Sequence, residues 1–155
     1  MFNRILVCFD GSETSAEALL MALRVAALHD AELRIVHALE HAPLPGGHGA
    51  DGGPGQPSLE RARAHARDIL CGALETASLD GRRVQVRLLE TGARNLGETI
   101  AAQARSWGAD LVVVGSQGRR GIARALLGSS AEQIIRLAPV PVLVVRPPAH
   151  APRAS

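Results

Sequence analysis

Five short runs of aliphatic and β-branched residues divide this chain: RILVCF (4–9), ELRIVHAL (32–39), RVQVRLLE (83–90), DLVVVG (110–115) and PVLVVR (141–146). Most are nearly continuous in apolar residues rather than alternating, so both of their faces must be covered, which a parallel sheet between two helix layers achieves. The third run alternates more and is expected at a sheet edge. Helix-length segments lie between the runs, from Ser15 to His29, Leu59 to Ala77, Leu96 to Trp107 and Leu126 to Leu137. In the first of them Ala18, Leu19, Ala22, Leu23, Ala26 and Ala27 form a stripe at helical spacing. Ser12 or Thr14 can cap it, and Glu17 supplies the capping-box carboxylate if Thr14 is the cap. Repeated strand-then-helix order with right-handed crossovers predicts an α/β fold: an open, parallel, five-stranded Rossmann-like sheet of order 3-2-1-4-5 with helices on both faces.

The chain has 155 residues, 46% of them hydrophobic, enough for a single core, and one domain over residues 1–147 is expected. The segment from His41 to Pro57 (HAPLPGGHGADGGPGQP) is dominated by glycine and proline and reads as a flexible loop, and residues 148–155 as a disordered tail. The net charge is only +2, and Phe2, Phe9 and Trp107 are the only aromatic residues, so neither a basic tract nor a stacking platform points to nucleic acid. All seventeen basic residues are arginine. Without lysine there is no Walker A loop, no Schiff base and no lysine general base. Cys8 and Cys71 lack CxxC spacing and imply neither a disulfide framework nor a zinc site. No apolar run approaches the ~20 residues of a membrane helix, and the chain shows no signal peptide, so a soluble cytoplasmic protein without a membrane partner is expected.

In such a sheet, ligands bind outside the carboxyl ends of the strands, where neighbouring connections leave in opposite directions. With this strand order the two ends that matter are those of the first run, leading into FDGSETS, and of the fourth, leading into GSQGRRGIARALLGSS. Gly115, Gly118 and Gly121 can take positive φ and lack a Cβ, which lets main-chain N–H groups converge on an anion. Ser129 and Ser130, after Gly128, stand near a helix start whose dipole and unpaired N–H groups favour negative charge. Arg119, Arg120 and Arg124 supply countercharge. Two readings stand for Asp10, a helix-initiating carboxylate or a ligand contact, and two for the serines, a cap or a phosphate contact.

The pattern Gly115-x2-Gly118-x9-Gly128-Ser129, directly after a predicted strand, resembles the nucleotide-binding signature of the universal stress protein family. GADLVVVGSQGRRGIARALLGSSAEQIIRLAPVPVLVVRP resembles the family's C-terminal half, and ILVCFDGSETSAEALLMAL its N-terminal strand, acidic turn and first helix. The likeness covers the chain except the loop at 41–57 and the tail. It implies that Asp10 lies by the adenine and ribose, and that main chain around Cys8 and at Ala38 lines the adenine slot. It further implies that Gly115, Gly118, Arg119 and Gly121 wrap the phosphates, while Gly128, Ser129 and Ser130 close on them from the helix side. A valine is common in the family where this chain has Ala38. The implied ligand is ATP, accompanied in metal-bearing members by a divalent ion such as Mg2+ or Mn2+, although no motif here shows a metal. The likeness also implies a homodimer paired through the final strand, and Pro139-Val-Pro141 followed by VLVV fits an exposed apolar edge.

Other constellations are weaker. His37, His41 and His48 cluster in sequence, but two of them fall on the glycine-rich loop, which cannot fix metal geometry. GSSAE lacks the flanking glycine of a nucleophile elbow, and FDGSE is neither GxGxxG nor the SGGxDS loop of adenylating enzymes. No residue is well placed as a general base, so no catalytic residue is assigned and the expected function is an ATP-binding, nucleotide-responsive stress or regulatory module. A slow ATPase or autophosphorylating enzyme, with Ser129 or Ser130 as acceptor, is the alternative; a nucleotide-free structural adaptor is a third.

Overall fold

A computed structural model describes residues 1–40, 59–78, 81, 83–117 and 127–146 of the chain. The elements in chain order are β1 (Arg4–Cys8), α1 (Glu13–His29), β2 (Glu32–Leu39), α2 (Leu59–Ser78), β3 (Val84–Glu90), α3 (Leu96–Trp107), β4 (Leu111–Gly115), α4 (Ser129–Leu137) and β5 (Val142–Val145). All four strand pairings are parallel and the order is β3-β2-β1-β4-β5. The expected architecture and the edge position of β3 are therefore both found.

Continuity of apolar residues has the consequence the sequence implied. Ile5, Leu6 and Val7 in β1, and Val112 and Val113 in β4, are fully buried. Alternate residues face opposite layers: Ile5, Val7, Leu33, Ile35, Leu111 and Val113 pack with the apolar faces of α1 and α2, whereas Leu6, Val36, Val112 and Val114 pack with those of α3 and α4. Each such side chain contributes about 1.5–3 kcal/mol by leaving water. In β3, alternation places Gln85 and Arg87 outside and leaves Val84 and Val86 half-buried, as an edge strand allows.

Helix ends follow local chemistry. Ser12 caps α1 by accepting from Ser15 N–H, and Asn95 caps α3 in a complete capping box with Glu98. The alternative cap, Thr14 with Glu17, is not used, because Thr14 already lies inside the helix and its hydroxyl donates to the Gln117 carbonyl. α4 starts at Ser129 rather than near Leu126. Gly128 is its N-cap, with extended φ −65° and ψ 149°, and Leu127 precedes it outside the helix, so the apolar stripe of the sequence overruns the true start. Residues 118–126, the 41–57 loop and the tail lie outside the described residues. Among the described residues, no helix is long and apolar enough to cross a membrane.

Candidate functional site

The sheet opens at its carboxyl edge between β1 and β4. Their ladder runs Ile5↔Leu111, Leu6↔Val112, Val7↔Val113 and stops there. Beyond that point each strand keeps only its outer neighbour. β1 continues against β2 through Cys8↔Val36 and the hydrogen bond from Phe9 N–H to Val36 O at 2.8 Å. β4 continues against β5 through Val114↔Val144 and Gly115↔Val145, and Ser116 N–H then donates to Val145 O at 2.7 Å. The parting coincides with the change in direction of the connections: α1 leaves β1 toward one side and α4 leaves β4 toward the other. This is the place where a doubly wound sheet accepts a ligand.

On the β1 bank, Asp10 follows the strand, half-buried, and its Oδ1 accepts from Ser12 N–H at 2.9 Å. That bond shapes the turn, with Gly11 at φ +82° between them. The carboxylate thus helps initiate α1, as one of the two sequence readings expects, and the same contact holds it at the crevice edge. Cys8 points to the α3–α4 side. Burial, and then the neighbouring Asp10 carboxylate, push its thiol up to about 12, so it is a neutral wall and not a nucleophile. Ala38 pairs with Leu89 on the β3 side, two residues past Val36, where the β1–β2 ladder ends.

On the β4 bank, Gly115 is the last residue of the strand and fully enclosed. Its φ is not positive, contrary to the expectation for this glycine, because it is still paired with Val145 as extended chain. Its missing Cβ matters for another reason. A Cβ there would lie 2.9 Å from the carbonyl carbon and oxygen of Thr14 and 3.0 Å from its Oγ1, so α1 occupies the space. The chain leaves through Ser116 and Gln117, and Gly128 N–H returns to Ser116 O at 2.8 Å, closing the base of the connection. Gly118, Arg119 and Gly121 lie outside the described residues, as do Arg120 and Arg124.

Ser129, exposed, and Ser130, half-buried, form the first turn of α4. Gly128 offers no side chain to accept from that turn, unlike Ser12 and Asn95 at the starts of α1 and α3. Those first-turn amides, with the positive end of the helix dipole, suit an anion. His37 is buried on the α1–α2 side with Nδ1 against Phe9 O, and His41 and His48 lie outside the described residues. Ser116 and Gln117 join this site without having been singled out in the sequence, and Thr14 joins it after being read only as a candidate helix cap. Their only advance signal was position, directly after FDGS and directly after the fourth strand.

A parallel sheet of this order, parted between its first and fourth strands, defines a doubly wound α/β protein with a crevice at its topological switch point. The chain belongs to the universal stress protein family, whose family model matches residues 1–146. A universal stress protein of Methanocaldococcus jannaschii is 31% identical over 148 residues, covering 96% of this chain and 84% of that one. The crystal structure of a family protein from Burkholderia pseudomallei superposes with a TM-score of 0.69 at 29% identity, over 92% of this chain and 95% of the other. A universal stress protein solved in complex with cAMP superposes with a TM-score of 0.67 at 27% identity, over 93% of this chain and 97% of that one.

Proposed function

We propose that this protein binds an adenine nucleotide, ATP foremost, in the opening between β1 and β4, and that occupancy makes it a nucleotide-responsive stress or regulatory module. The observation that carries the reading is the early end of the β1–β4 ladder at Val7↔Val113, which frees the two strand ends to receive a ligand between them. A family neighbour solved with cAMP supports the adenine class. In this reading the base lies against main chain at Cys8 and Ala38, and Asp10 faces the ribose. The phosphates reach the start of α4 at Gly128, Ser129 and Ser130, where uncapped amides and serine hydroxyls donate to them. Gly115 acts at the floor by letting α1 pack closely, while Gly118, Arg119 and Gly121 are assigned to the phosphates by the family signature alone.

Among the described residues no three His, Cys, Asp or Glu side chains converge, so the donor set does not form a metal cage, and the reading uses no protein-built metal site. In the same reading the protein is a cytoplasmic homodimer paired along β5, whose four residues are each half-buried in the single chain. Small molecules extracted from freshly purified protein and weighed by mass spectrometry test the central point. An adenine nucleotide near one equivalent per chain is expected. Its absence, together with no uptake on adding ATP, contradicts the reading.

A further inference from the structure

The first turn of α1 ties the two banks of the crevice together through hydroxyls. Ser12 N–H donates to Asp10 Oδ1, Ser12 Oγ and Thr14 Oγ1 lie 3.2 Å apart, and Thr14 Oγ1 donates to the main-chain carbonyl of Gln117 across 103 residues of sequence. A hydroxyl has one proton. Thr14 commits its proton to a carbonyl that can only accept, so between the two hydroxyls Ser12 is the donor. Ser12 Oγ in turn accepts from Ser15 N–H at 3.2 Å. The relay is therefore directed, from Ser12 through Thr14 to the first residues beyond β4.

Two independent contacts fix its far end. The close approach of Thr14 to the Cβ-free face of Gly115 holds the helix against the strand end. Gly128 N–H claims the carbonyl of Ser116, the residue just before Gln117. Consecutive carbonyls at 116 and 117 are thus held from opposite sides, one by the α4 cap and one by α1.

We propose that Thr14 is a positioning residue for nucleotide binding, an inference that rests on the reading above. Anchoring the Gln117 carbonyl to α1 fixes the residue through which the chain leaves β4 at the mouth of the crevice. Thr14 itself does not touch the ligand. It holds Gln117, at the end of β4, and links it through Ser12 to the Asp10 turn on the other bank.

Calorimetric titration with ATP of the wild-type chain, Thr14→Val and Thr14→Ser provides the test, with amide hydrogen exchange of the ligand-free proteins as a second readout. Valine keeps the shape and removes the hydroxyl, and should weaken ATP binding roughly three- to ten-fold, the effect of one lost hydrogen bond. Serine should restore affinity to within about twofold of wild type. Exchange of the Gly128 amide should quicken in the valine variant, with Val113 in the strand core unchanged. A wild-type chain that binds no ATP overturns the nucleotide reading and the role of Thr14 with it. A wild-type chain that binds ATP, with a folded valine variant of equal affinity, overturns the Thr14 proposal alone. Should valine prevent folding, Thr14→Ala takes its place with the same two readouts, and wild-type affinity in that variant overturns the Thr14 proposal in the same way.

Discussion

His37 Nδ1 lies 2.8 Å from the main-chain carbonyl oxygen of Phe9, linking β2 to the residue where β1 leaves the sheet. A carbonyl only accepts, so Nδ1 carries the proton and donates. The ring is buried at 6% exposure, which makes this bond a fixed strut beneath the β1 bank. Replacing His37 with Leu keeps an apolar side chain of similar bulk and removes the donor. We expect a loss of about 1–3 kcal/mol in denaturant unfolding. An unchanged midpoint would show that the strut carries no weight.

Gly115 and Gly72 form a contrasting pair. An added Cβ at Gly115 meets the Thr14 main chain at 2.9 Å, whereas at Gly72 on α2 it meets nothing within 4 Å. Gly115→Ala should destabilise by about 1–3 kcal/mol through overpacking. Gly72→Ala should stabilise by about 0.5–1 kcal/mol by lowering the backbone entropy of the unfolded chain. Equal effects in thermal melts would contradict the packing described for the end of β4.

Ser12→Ala removes both the α1 cap and the donor to Thr14. A loss of about 0.5–2 kcal/mol is expected. Ser12→Gly should recover most of the cap contribution. A double-mutant cycle with Thr14→Val should show coupling, because the two hydroxyls share one hydrogen bond.

Cys8 sets an alkaline limit on stability. Burial, then the Asp10 charge, raise its thiol from 9.0 to about 12 in the fold. Below pH 9 the thiol is protonated in both folded and unfolded chains and adds no pH dependence. Between pH 9 and 12 the unfolded chain loses the proton while the folded one keeps it, so stability falls as pH rises through that window. The chain has no lysine and no tyrosine, so few other groups titrate there. Unfolding followed at pH 8 and pH 10.5 should show this fall, and Cys8→Ser should flatten it. At pH 8, iodoacetamide should modify exposed Cys71 and spare Cys8.

Much of the fold was legible because its signals are local. Unbroken apolar runs demanded coverage on both faces, and the alternation of Val84, Gln85, Val86 and Arg87 marked an edge. The end of β1 shortly before Asp10 and the end of β4 at Gly115 were legible for the same reason. What escaped was tertiary. Thr14 meets Gln117 and Gly115 only after α1 packs on β4, so a hydroxyl that looked like a cap serves as a cross-link, and the missing Cβ of Gly115 also makes room for helix packing. The stripe before α4 extended the predicted helix to Leu126, since periodicity reports burial and not the extended backbone that Gly128 adopts. Arg34 gave no warning either: it lies in β2 with its guanidinium 4.3 Å from the Trp107 ring centre, a contact made only by folding.

The measurement that bears most directly on the crevice is a titration of isotopically labelled protein with ATP, followed by amide chemical shifts. Binding between β1 and β4 predicts saturable changes concentrated at Asp10 to Ser12, Ala38, Ser116, Gln117, Ser129 and Ser130. Flat spectra at millimolar ATP, or changes gathered at the amino ends of the strands around Asn3 and Asp110, would contradict it.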